Sequence, residues 1–157
     1  MSIRVRQIRV TVVSLTKILV MTFAMMPVLS VATEEPSLSV VDGYVREMIP
    51  GTPNAVAFLT LENTSDRDIK LVSAQSSVSP VVEFHVHRHD NGAMRMERVD
   101  HITVTAGDCF TFSPGSYHIM LMNVGTRLQS GDEVGLVLNA TDGESVKVTL
   151  PVRAMFK

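Results

Sequence analysis

All five histidines of the 157-residue chain, His85, His87, His89, His101 and His118, lie within one stretch of about forty residues. Met94, Met96, Met120 and Met122 lie in the same stretch, with few carboxylates between them. Hard cations such as Mg, Ca and Mn want oxygen ligands, whereas soft thioether with borderline imidazole suits Cu(I). Copper binding is the chemistry these side chains allow. The question for the scaffold is whether it can bring them to one place.

Asn91-Gly92 sits between two alternating runs, residues 81–89 and 93–99. Both residues tolerate positive φ, so the pair predicts a two-residue hairpin turn. Such a turn pairs His89 with Met94, His87 with Met96 and His85 with Arg98, all six on one face. His85 is then diagonal to Met96, within reach of long side chains. His118, Met120 and Met122 likewise share a face of the run 117–124. If that strand meets the hairpin, two histidines and two methionines gather on one side of the sheet. A slip of one residue would reverse the faces.

The residues differ in their ordinary explanations. His89 and His101 read as solvated side chains, Met122 as core filler, and Met94 stays open between core and ligand. Cys109, in Cys109-Phe110-Thr111-Phe112, reads as a small buried hydrophobe. Its alternative is a soft copper ligand or redox thiol. As the only cysteine it has no intramolecular disulfide partner.

Around this stretch the mature sequence shows no sustained helical period. Short apolar runs recur every 8–12 residues or so, separated by turn signals such as Pro50-Gly51, Pro114-Gly115 and Asp142-Gly143. Asp42-Gly43 marks a turn or bulge in the first run, and residues 55–62 are apolar enough for burial on both faces. The pattern predicts an all-β fold, an antiparallel sandwich or barrel of about eight or nine strands. No internal repeat or linker divides it.

Residues 1–32 read as a signal peptide. Arg4, Arg6, Arg9 and Lys17 precede or enter a short apolar run, no acidic residue occurs before Glu34, and Ser30-Val31-Ala32 offers a cleavage site. A membrane anchor starting nearer Val10 would have to bury Lys17. No cysteine lies near the cleavage point, which argues against lipid attachment there. Residues 33–157 form the expected mature domain, large enough for a core of its own. Its net charge, about −6, disfavours nucleic acid, whose phosphates attract cationic surfaces.

The spacing of four residues carries a family resemblance. His85, ten residues, Met96, twenty-one residues, His118, one residue and Met120 give H-x10-M-x21-H-x-M. This resembles the signature of the periplasmic copper chaperones called PCu(A)C. Pro50-Gly51-Thr52-Pro53, Ala57-Phe58-Leu59-Thr60-Leu61-Glu62-Asn63-Thr64, Gly92-Ala93-Met94-Arg95-Met96 and Gly131-Asp132 are similar to that family too, so the likeness covers nearly all of residues 33–157. One departure is Gly115-Ser116, where the family commonly has Gly-Gly. The resemblance implies a cupredoxin-like Greek-key fold, a periplasmic location and Cu(I) held by His85, Met96, His118 and Met120. It further implies a non-catalytic carrier that serves copper homeostasis and cytochrome c oxidase assembly. The acceptor would be the copper A centre of oxidase subunit II, reached directly or through a thioredoxin-like copper chaperone.

Two other classes remain open on the residues. A cupin-like metalloenzyme would use a histidine-centred site: His85-x-His87 and Pro114-Gly115-x-x-His118 echo cupin metal motifs, without the Glu expected after His87. A blue-copper electron carrier would need a thiolate beside histidine, and Cys109 lies nine residues before His118, in a strand rather than a loop.

Overall fold

The computed structural model describes residues 36–90 and 92–154, so the expected signal peptide lies outside the described residues. Ten strands follow one another: β1 (Leu38–Arg46), β2 (Ala55–Asn63), β3 (Ile69–Ser76), β4 (Val81–Asp90), β5 (Ala93–Val99), β6 (Ile102–Val104), β7 (Cys109–Thr111), β8 (Tyr117–Met122), β9 (Glu133–Ala140) and β10 (Ser145–Arg153). The all-β expectation holds, with ten strands in place of eight or nine. Two of the ten are only three residues long, and they pair with different partners, β6 with β3 and β7 with β2.

The strands run in the order β5-β4-β8-β2-β1-β10-β9-β3-β6, with β7 beside β2. Every pair is antiparallel except β1 with β10, which is parallel and brackets nearly the whole domain. That pairing corrects the purely antiparallel expectation. It joins chain ends more than a hundred residues apart, a relation local pattern does not carry.

One core lies between the two halves of this path. Leu59, Leu61, Phe84, Phe112, Ile119 and Leu121 from one half pack with Ile69, Leu71, Leu136 and Leu138 from the other. β2 runs through the middle of its half, with β1 on one edge and β7 and β8 on the other, which explains its burial on both faces. At Gly43, beside the bulge in β1, a Cβ would sit 2.7 Å from the Leu59 Cβ and 2.8 Å from Leu150 Cδ2. Only glycine allows that approach without a shift.

Asn63, at the end of β2, is a buried polar anchor. Its Nδ2 donates to the carbonyls of Arg67 (2.7 Å), Val104 (3.0 Å) and Thr105 (3.2 Å). Its Oδ1 accepts from the Ser65 amide at 3.0 Å and hydroxyl at 2.7 Å. Beyond it, Arg67 is paired with Asp142 and Ser37 donates to Glu144, so the start of the domain and the β2–β3 turn meet the β9–β10 turn there.

Candidate metal centre

The β4–β5 hairpin has the register that Asn91-Gly92 predicts: His89 opposite Met94, His87 opposite Met96 and His85 opposite Arg98. β8 pairs with the other edge of β4, placing His118 opposite His85 and Met120 opposite Glu83. Alternation sends Phe84, Val86, Ile119 and Leu121 into the core and puts Glu83, His85, His87, Met96, His118 and Met120 on the outer face. His85 is the centre of this patch. His118 lies directly across from it, with Met96 and Met120 on its two diagonals and His87 two residues along its own strand.

A break in the neighbouring strand shapes the patch. β7 and β8 both pair with β2, at Thr60–Glu62 and Ala55–Ala57 respectively, and the chain leaves the ladder between them. The excursion closes on itself: the Ser113 amide donates to the Tyr117 carbonyl at 2.8 Å, and the Ser116 amide to the Ser113 carbonyl at 3.1 Å. Gly115 turns the corner at φ 79°, a conformation that favours glycine. Ser116, in the family's second Gly position, fits without strain and offers its carbonyl inward. That carbonyl accepts from the His87 amide at 3.3 Å and lies 3.1 Å from the His118 Nδ1.

These contacts fix the tautomers. A carbonyl only accepts, so His118 Nδ1 carries the proton and Nε2 presents a lone pair. His85 Nε2 lies 2.9 Å from Glu83 Oε2, so Nε2–H donates to the carboxylate and Nδ1 is left bare. Glu83 also pairs with Arg98 at 3.2 Å, which holds it in place. A carboxylate or carbonyl behind the far nitrogen is the usual support of a metal-binding histidine.

The free nitrogens are the distinctive feature. His85 Nδ1, His87 Nδ1 and His118 Nε2 are buried and have no hydrogen-bond partner. His118 is 1% exposed, with the His87 ring stacked over it at 4.7 Å and the His85 ring at 5.9 Å. Burial holds the His118 imidazole below the ordinary histidine value. His87, His85 and Arg46 push the same way, against the Ser116 carbonyl. A neutral imidazole with a free lone pair is the form that ligates metal. Among the described residues no three His, Cys, Asp or Glu side chains are placed to hold a metal ion.

The remaining candidates separate cleanly. His89 and His101 are exposed, as expected of solvated histidines. Met94 is exposed at the turn end of the hairpin opposite His89, so it is not core. Met122 is half-buried on the outer face with His118 and Met120, which corrects its reading as core filler. Cys109 is exposed, not buried. Period two puts it on the face of Thr111, while Phe110 and Phe112 turn inward. It pairs with Glu62, six residues along β2 from the partner of Met120, or roughly 20 Å away at strand rise. The residue that spacing alone missed is Glu83. Its signal was its position, two residues before His85 on the same face.

An all-β domain with bare, buried imidazole nitrogens beside thioethers has the make-up of a soft-metal-binding domain. The chain belongs to the family described as "Putative lipoprotein LpqE-like", which matches residues 38–152. It is 30% identical over 104 residues to "Putative lipoprotein Lxx21020" of Leifsonia xyli, spanning 66% of this chain and 63% of that protein. Among solved structures it is similar to the Cu(I) form of DR1885 from Deinococcus radiodurans, with 28% identity and a TM-score of 0.61, over 78% of this chain and 80% of that one. It also shares its fold with the copper-bound PCuAC domain of PmoF2, at 20% identity and a TM-score of 0.64, over 75% of this chain and 93% of that domain. The neighbours agree with the PCu(A)C resemblance and with its cupredoxin-like fold. Among the described residues no helix is long and apolar enough to cross a membrane.

Proposed function

We propose that this protein is a periplasmic Cu(I) metallochaperone, with His85, Met96, His118 and Met120 as ligands. The observation that carries the reading is the set of buried imidazole nitrogens without partners, on the same sheet face as two thioethers. An unpaired buried acceptor costs stability unless something fills it. Two imidazoles and two thioethers hold Cu(I) without ligand charge and discriminate against Zn(II), which prefers nitrogen, oxygen or thiolate. Met96 is 47% exposed, so one ligand is open to exchange with an acceptor. The Cu(I) form of DR1885 supports the same cargo and oxidation state. Export through residues 1–32 would place the carrier in the periplasm. The copper A centre of cytochrome c oxidase subunit II is the proposed acceptor, reached directly or through a thioredoxin-like chaperone.

The carrier has no catalytic step to perform. A cupin-like centre would want a carboxylate ligand, and Glu83 already engages His85 and Arg98. A blue-copper site would want its thiolate beside the histidines, and Cys109, on β7, pairs with Glu62 at the far end of β2 from them. The test is transfer: two equivalents of mature protein, each loaded with one Cu(I), are mixed with apo oxidase subunit II, one electron per centre is removed with ferricyanide, and copper A absorption is followed. Formation of that absorption at stoichiometric copper supports delivery. Retention of copper by the carrier would overturn the assigned acceptor.

A further inference from the structure

Arg46 closes β1 and stands apart from the other arginines. It is half-buried, while every other arginine among the described residues is exposed. Arg67, Arg88, Arg98 and Arg153 each pair with a carboxylate, and Arg46 has no such partner among the described residues. A charge drawn partly out of water without a counter-charge is unfavourable. Val45 is buried in the core, so alternation puts Arg46 on the outer face. It sits opposite Val56, Val56 opposite Met120, and Met120 opposite Glu83, all in one row. Two strand spacings, about 10 Å, separate the backbones of Arg46 and Met120. The Arg46 charge reaches the imidazoles, since it helps to hold His118 below the ordinary histidine value. Glu83, the carboxylate of the patch, is already matched by Arg98 at 3.2 Å. The charge left over beside the patch is positive.

We propose that Arg46 is a specificity-determining residue, an unpaired cation on the outer face that biases the site toward Cu(I) and against Cu(II) by charge. This rests on the copper reading of the same face and adds a second selector to the soft thioethers. Two imidazoles and two thioethers carry no charge, so nothing in the ligand set offsets that of the ion. A fixed positive charge repels Cu(II) twice as strongly as Cu(I) at the same distance, because Coulomb energy scales with the ion's charge. One unit charge about 10 Å away is worth roughly a twofold change in affinity at water-like screening, and over tenfold at the screening found near protein surfaces. The half-buried Arg46 lies between those limits. The effect needs no change of ligands between the two oxidation states. A carrier exported to an oxidising compartment would thereby keep more of its cargo as Cu(I).

The test measures Cu(I) and Cu(II) affinities of the mature protein by competition titration, since their ratio fixes the reduction potential of the bound copper. Arg46→Gln should raise Cu(II) affinity relative to Cu(I) at least threefold, a fall of about 28 mV at 59 mV per tenfold. Arg46→Glu changes the charge by two and should raise the ratio at least about ninefold. Arg46→Lys keeps the charge and should stay within about twofold of the parent. Arg153→Gln should stay within the same limit, because Arg153 lies in register beside Arg46 but pairs with Asp42 and covers the Tyr44 ring. Denaturant unfolding of the copper-free forms reads any structural effect separately. Smaller shifts in Arg46→Gln or Arg46→Glu, no measurable Cu(II) binding even in Arg46→Glu, or a shift beyond twofold in Arg46→Lys or Arg153→Gln would overturn the inference. With Cu(I) bound normally by the parent, any of these leaves the proposed function standing. No Cu(I) binding by the parent would overturn the proposed function, and the inference with it.

Discussion

Asn63 and His118 are both polar, both at most 1% exposed, and both held by backbone carbonyls, but they differ in what is left over. The Asn63 amide donates to three carbonyls and its oxygen accepts twice. His118 spends Nδ1 on Ser116 and leaves Nε2 with nothing, alongside the bare nitrogens of His85 and His87. The first is a buried group that stabilises the fold. The second is a buried group the fold tolerates at a cost, of the order of 1–3 kcal/mol for each unmet polar atom. Burial of a polar side chain thus says little about its role until its partners are counted. The unmet remainder marks the site.

That contrast predicts opposite responses to apolar replacement. His118→Leu should lower Cu(I) affinity by at least a hundredfold, beyond the 10–100-fold typical of losing an outer-shell partner. It should also change the stability of the copper-free protein by less than about 1 kcal/mol, because the unmet nitrogen leaves with the ring. Competitive Cu(I) titration and denaturant unfolding read the two effects separately. Asn63→Ala should do the converse. Its removal strands several backbone groups and should cost about 3 kcal/mol in unfolding, with Cu(I) affinity of the folded protein unchanged. Similar stability losses for both variants would erase the distinction.

A smaller effect is expected behind the proposed ligands. Glu83→Gln keeps the shape but removes the charge that supports His85, and should weaken Cu(I) by roughly tenfold. Direct metal titration checks this, with Arg98→Ala as a milder companion because it only frees Glu83.

The smallest effect is on pH dependence. Because the folded His118 imidazole has a lowered pKa, the unfolded chain takes up a proton near 6.5 that the folded one resists. The copper-free protein should therefore keep its full stability above about pH 6.5 and lose part of it as pH falls through the lower, folded value. Unfolding curves at several pH values should show this slope, and His118→Leu should flatten it.

The sequence made the hairpin legible to the residue, because Asn91-Gly92 admits one register and alternation then assigns the faces. It also placed His118 and Met120 together, since one strand carries both. It misjudged Cys109 and Met122 for a shared reason. In both cases the usual burial of the residue type points one way and period two the other, which puts Cys109 with Thr111 and Met122 with His118. The parallel β1–β10 pair and the Ser116 carbonyl beneath two histidines were not legible, because both depend on segments far apart or on a loop's own closure. The unpaired state of His87 was hidden for the same reason: spacing shows which side chains can meet, not which atoms are left unmet.

The central claim is that imidazole and thioether on this face hold one Cu(I) together. X-ray absorption of the mature protein with one equivalent of Cu(I) tests it most directly, with Met96→Ala and Met120→Ala alongside. The parent should show two nitrogen and two sulfur neighbours, and each methionine variant should lose one sulfur and bind Cu(I) more weakly. A parent with nitrogen neighbours alone, and methionine variants of undiminished affinity, would contradict it.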